Sequence, residues 1–127
     1  APAVGWALGV ERILELLKSQ DLLPAAAAPD VYVVVPTTQA AQTAAVVCRA
    51  LRAVGAKVQM HAGTADGQGS MKSQFKRADG SGATWAVILG EDELAAGGVA
   101  VKHLRGEPGG QATVALTQLG AWWQALQ

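Results

Sequence analysis

The spacing of hydrophobic and polar positions divides the chain into three stretches of different rhythm. Val10, Ile13, Leu14 and Leu17 recur at helical spacing, which predicts a helix over 10–18 with one apolar face. Residues 20–30 break that pattern with Pro24, four alanines, Pro29 and Asp30, the composition of a linker. From Val31 the rhythm alternates between strand and helix. Residues 31–35 form a continuous run of valines and one tyrosine, the sign of a strand buried on both faces. Pro36 and two threonines open a helix whose Ala40, Ala44, Val47, Cys48 and Leu51 share a face. Gly55 fits the position that stops it.

A second strand is expected over 57–61, followed by a Gly-rich loop over 62–69 and a helix capped by Ser70. Met71, Phe75 and Ala78 are expected to face inward from that helix. Residues 84–89 read as a third buried strand. Strands over 99–104 and 112–116 are then joined by a short Gly/Glu/Pro turn. A link that short forces antiparallel neighbours. Thr117 is expected to cap a last helix, with Leu119, Trp122, Trp123 and Leu126 covering the sheet. The sum is a βαβαβ unit extended by two antiparallel strands and a helix. The expected fold class is therefore α/β, a mixed five-stranded sheet with flanking helices preceded by one isolated helix.

Composition narrows the class. At 127 residues, 50% apolar and 16% charged, the chain suits a single folded domain and not a disordered one. Alanine accounts for 26 positions, so the core draws on small side chains. Ten basic and ten acidic residues give zero net charge, which excludes a histone-like or polybasic-tail mode of nucleic-acid binding while leaving room for a local basic patch. Cys48 is the lone cysteine, so no internal disulfide and no Cys-based zinc site is expected. No apolar run approaches the ~20 residues of a membrane span. The expectation is a soluble, cytoplasmic domain, without a membrane partner. Because the chain opens on Ala1 in the middle of a pattern, it is expected to be a piece of a longer protein.

Candidate chemistry is sparse. Gly67-Gln-Gly-Ser-Met-Lys72 looks superficially like a phosphate loop, but a Walker loop has Gly before the Lys where Met71 stands. A surface loop is the simpler reading. Lys72 and Lys76 stand at i and i+4 with Arg77 and Gln74 nearby, either a solvated helix face or a surface that meets phosphates. Glu91-Asp-Glu93 forms an acidic triplet after the third strand, and Lys102, His103 and Arg105 lie on or just after the next. His61 and His103 have no metal-ligand spacing, and no nucleophile has a local base. Catalysis and metal binding by this chain alone are not expected.

Two sets of residues then point to a known family. Gly5-Trp-Ala-Leu-Gly9-Val-Glu11-Arg12 closely resembles the last conserved motif of class II aminoacyl-tRNA synthetases in its histidyl form. Met71-Lys-Ser-Gln-Phe75-Lys-Arg-Ala-Asp79, Val87-Ile-Leu-Gly90-Glu-Asp-Glu-Leu94 and Val101-Lys-His-Leu-Arg105 resemble the C-terminal anticodon-binding domain of the histidyl-tRNA synthetases. The resemblance covers nearly the whole chain in order. It implies residues 1–19 as a remnant of a catalytic domain, 20–29 as a linker and 30–127 as the anticodon-binding domain. It also implies the five-stranded architecture already reached from patterning.

By the same resemblance, Arg12 would contact ATP in the parent, which uses ATP with Mg2+. Glu93 and Lys102 would read anticodon bases, while Lys72, Gln74, Lys76, Arg77 and Arg105 would touch the tRNA backbone. The expected partner is the anticodon stem-loop of the histidine tRNA. The parent is expected to be a homodimeric ligase, and this chain to be inactive alone and to self-associate through its N-terminal helix. Two other functions fit the same pattern. One is a synthetase-like regulatory or accessory RNA-binding module, and the other is a small-ligand-binding flavodoxin-like domain.

Overall fold

The computed structural model describes residues 1–25, 27–64, 67–106 and 110–127. After the isolated helix α1 (Val10–Ser19), the elements run β1 (Val31–Val34), α2 (Ala41–Ala53), β2 (Val58–Met60), α3 (Met71–Gly80), β3 (Trp85–Ile88), α4 (Glu91–Ala95), β4 (Gly98–His103), β5 (Gln111–Ala115) and α5 (Leu119–Ala125). The five strands form one sheet in the order β2-β1-β3-β4-β5. β1 pairs in parallel with β2 and β3, while β3–β4 and β4–β5 are antiparallel. This is the mixed sheet with flanking helices that the hydrophobic rhythm predicts. The turn expected between the last two strands lies partly outside the described residues, as do parts of the alanine linker and of the 62–69 loop.

Alternation along the strands sorts side chains onto two faces. Val31, Val33, Val87, Leu89, Val99 and Val101 meet Val47, Cys48 and Leu51 of α2 and Leu119 and Trp123 of α5. On the other face Tyr32, Val34, Ala86, Ile88 and Ala100 meet Ala78 of α3, with Ala83 beside them. Local signals account for the helix ends. The Thr37 hydroxyl accepts the Ala40 N–H in a 3-10 turn leading into α2, and Ser70 Oγ accepts the Ser73 N–H at the start of α3. Gly55, at φ +92°, follows α2 in the left-handed region that glycine occupies without strain.

The expectations for Thr117, Met71 and Leu126 are corrected. Thr117 does not cap the last helix; it lies inside a 3-10 turn, and Gln118 precedes α5 without a side-chain cap. Met71 and Leu126 do not cover the sheet but are exposed, Met71 as the first residue of α3 and Leu126 as the residue that follows α5. The acidic triplet is the first turn of α4, where carboxylates are favoured by the helix N-terminus. α1 buries none of its residues, with Val10 61% and Leu14 47% exposed, so its apolar stripe does not fold back onto the sheet.

Candidate nucleic-acid interface

α3 organises the polar chemistry of the domain because its residues point in four directions. Gln74 and Ala78 face the sheet and are fully buried. Lys72 and Lys76, one turn apart, are exposed on the opposite side. Ser73 and Arg77 border the 62–69 loop, whereas Phe75 and Asp79 lie toward the β4 side, where they meet Lys102 and Arg105.

Gln74, expected to touch the tRNA backbone, is placed fully buried. Its Oε1 accepts the Val35 N–H and its Nε2 donates to the Val35 carbonyl, both at 2.8 Å. Val35 lies just past the end of β1, where no neighbouring strand meets these two groups, and a buried backbone amide left unpaired is costly. Gln74 replaces the missing ladder pair. The signal was in the spacing: 71, 74, 75 and 78 form one helical stripe, and Gln74 sits in the middle of it.

Lys102 stands on β4 opposite Ala86 of β3 and Gln111 of β5. It shares the α3 face with Ala100, and its Nζ lies 5.3 Å from the centre of the Phe75 ring. Glu93 is half-buried on α4, its carboxylate folded back over Gly90, the residue that precedes the helix. A Cβ at Gly90 would collide with Glu93 Oε2, so glycine is what permits this pose. Glu93 and Lys102 do not pair with each other. Arg105 instead reaches across to α3, donating from Nη1 to Asp79 Oδ1 at 2.8 Å and from Nη2 to the Asp79 carbonyl at 2.5 Å. Two of its five N–H donors are thus taken.

Sequence reasoning missed a polar chain on the β2 side. Tyr32 Oη lies 3.0 Å from His61 Nδ1, and His61 Nε2 lies 2.6 Å from the Gln68 carbonyl. A carbonyl only accepts, so Nε2 donates there and Nδ1 accepts from the tyrosine. Burial raises the Tyr32 phenol above its ordinary value, and the nearby Arg77 charge partly offsets this. His61, Gln68, Ser73 and Arg77 border a hollow of about 80 Å3. His103 stacks on Trp85 at 4.4 Å on the opposite face, the half-exposed strand residue that the pattern suggests. A larger cleft of about 510 Å3 lies between the start of α2 and α4, bordered by Thr37, Thr43 and Glu91, and takes in none of the predicted contact residues. Arg12 is exposed on α1 with no described element facing it, so this chain alone forms no nucleotide pocket around it.

An α/β domain with an exposed cationic helix over one sheet face defines the class, and sequence comparison gives the family. Residues 30–126 match the model of the anticodon binding domain, and the chain belongs to that family. It is 54% identical to a histidine–tRNA ligase of Acidovorax ebreus, an alignment that covers all of this chain and 30% of that protein. It is 51% identical to one of Ralstonia nicotianae over 88% of this chain and 26% of that protein. The chain thus spans less than a third of these relatives. Among solved structures, histidyl-tRNA synthetase from Nostoc sp. PCC 7120 superposes with a TM-score of 0.68 at 27% identity, over 94% of this chain and 28% of that one. The apo S. aureus histidyl-tRNA synthetase gives 0.65 at 26% identity, over 91% and 28%.

Proposed function

We propose that this chain is the anticodon-reading part of a cytoplasmic, ATP-dependent histidine–tRNA ligase, and that it binds the anticodon stem-loop of the histidine tRNA. Residues 1–19 belong to the catalytic domain of the complete protein, 20–29 link the two, and 30–127 read the tRNA. Arg12 contacts ATP in the complete protein, which is homodimeric, and the present chain neither activates histidine nor transfers it. The apolar stripe of α1, exposed here, packs against a second copy when the rest of the protein is missing.

The observation that carries this reading is the side of the sheet covered by α3. Lys102 and the exposed Lys72 and Lys76 belong to it, none of them neutralised by a carboxylate among the described residues. Lys72, Lys76, Arg77 and the remaining donors of Arg105 contact phosphates, which positions the RNA without reading it. Glu93 and Lys102 supply an acceptor and a donor for the edges of unstacked bases, the groups that specify sequence. Zero net charge is no obstacle, since the cations are local.

The test is titration of the chain with RNA hairpins that differ only in anticodon, at several salt concentrations. Lys72→Ala and Lys76→Ala should weaken every hairpin equally and flatten the salt dependence. Glu93→Ala should narrow the preference for the histidine anticodon by about 1–3 kcal/mol, the range known for single base contacts in DNA grooves. Binding with no salt dependence, or a preference untouched by Glu93→Ala and Lys102→Ala, would overturn the reading.

A further inference from the structure

Lys102 poses a physical question that base reading alone does not answer. A lysine carries a long flexible stem, and an ammonium that wanders is a poor reader of any one base edge. Proteins usually fix such a group with a carboxylate, which also occupies its hydrogens and cancels its charge. Here the carboxylate on the β4 side of α3, Asp79, is already held by two hydrogen bonds from Arg105. The only ion pair among the described residues is that one, so Lys102 has no acidic partner.

What Lys102 has is a ring. Its Nζ lies 5.3 Å from the centre of Phe75, inside the range in which the negative face of an aromatic ring attracts a cation. The surroundings explain how the stem reaches it. Of the positions beside Lys102 on this face, Ala86 and Ala100 are small and buried, with Gln111 and Leu104 on its other sides, so the alanines leave the stem room toward α3. Phe75 itself is half-buried against the alanine-rich cluster, so its ring is anchored while part of it stays open. A ring face orients an ammonium without taking up an N–H donor in a conventional hydrogen bond. Lys102 can therefore be held in place with its charge and its donors still available to an RNA acceptor.

We infer that Phe75 is a positioning residue for anticodon recognition: its ring holds Lys102 over the α3 face, while Asp79, one helical turn along α3 from Phe75, is engaged by Arg105. This rests on the base-reading role of Lys102 proposed above. Phe75 touches no base in this inference; it acts through Lys102.

Phe75 is the only phenylalanine of the chain, which makes a clean experiment possible. Biosynthetic replacement of phenylalanine by 3,4,5-trifluorophenylalanine alters this ring alone, withdrawing charge from its face with little change of shape. The full chain is titrated with a hairpin carrying the histidine anticodon and with one carrying an altered anticodon, and its thermal midpoint is recorded alongside. The fluorinated chain should lose about two- to fivefold in preference between the hairpins with an unchanged midpoint, as expected for an exposed cation–ring contact. Phe75→Leu should lose as much, and Phe75→Tyr should retain the preference. In a Lys102→Ala background, fluorination should change nothing further.

The outcomes separate cleanly. If Lys102→Ala lowers the preference but fluorination and Phe75→Leu do not, the positioning role is overturned and the base-reading role survives. If Lys102→Ala itself has no effect, the base-reading role falls and this inference falls with it. If fluorination lowers the preference equally in the Lys102→Ala background, the ring meets the RNA directly and the inference is wrong.

Discussion

One face of the sheet is lined by valines and leucines and closed by two helices, α2 and α5; the other sets Tyr32, Val34 and Ile88 among alanines and is closed by α3 alone. The first face does the work of a core. Leu51, Val47, Leu89 and Leu119 are fully buried there, and the polar atoms among its buried side chains are the thiol of Cys48 and the indole N–H of Trp123. The second face buries less bulk, with Tyr32, Val34 and Ile88 as its large buried side chains. Ala78, Ala83, Ala86 and Ala100 bring α3 close, and the polar groups of the domain lie in or beside the contact: Gln74 on Val35, Tyr32 on His61, Lys102 on Phe75, Arg105 on Asp79. The difference shows a division of labour within one sheet. A bulky face supplies the burial that folds the chain, and this leaves the alanine face free to hold charged and hydrogen-bonding groups at set positions.

That division can be broken most strongly on the bulky side. Leu51→Ala removes a fully buried side chain and leaves a hole between α2 and the sheet, so unfolding free energy should fall by about 2–5 kcal/mol in a denaturant titration. On the alanine side, Gln74→Leu keeps the volume but strips Val35 of both backbone partners. The expected loss is about 1–3 kcal/mol, smaller because only hydrogen bonding is removed. A loss at Gln74 as large as at Leu51 would mean that the alanine face carries stability as well as position. Smaller still is Arg105→Ala. Its side chain is 42% exposed and Asp79 68%, so about 0.2–1 kcal/mol of stability should go, read as a slight shift of midpoint.

The two faces also differ in how far they could be read from sequence. The bulky face was legible because the stripe Ala44, Val47, Cys48, Leu51 and the valines at 31, 33 and 35 announce burial by hydrophobicity alone. The alanine face was not, because its contacts depend on distances that no periodicity encodes. Gln74 looked like a phosphate contact when it is a surrogate ladder partner, and Phe75 looked like plain core when it carries a lysine on its ring. Arg105 and Asp79 are 26 positions apart, and only the fold joins them. Candidate site residues on exposed positions of α3, Lys72 and Lys76, were legible as a surface; what they meet was not.

Alkaline titration offers the finest comparison, since each face holds one buried acidic hydrogen. Burial raises the Cys48 thiol on the bulky face above 9.0, partly offset by Arg52, and raises the Tyr32 phenol on the alanine face above 10.0, partly offset by Arg77. At neutral pH both groups keep their protons whether the chain is folded or not, and neither affects stability. As the pH rises toward the thiol's ordinary value the unfolded chain loses protons that the folded chain retains, so the unfolded state binds fewer and stability falls. The loss should begin near the thiol's ordinary value and steepen near the phenol's. Thermal midpoints recorded from neutral to strongly alkaline pH should show this decline in the wild type. Cys48→Ala should remove the earlier part of the slope and Tyr32→Phe the later part. Tyr32→Phe should also lower the midpoint at neutral pH, since His61 Nδ1 then loses its donor, and so set the cost of a broken polar contact on the alanine face apart from the cost of ionising it. A slope that both substitutions leave unchanged would place the alkaline-sensitive groups outside both faces of the sheet.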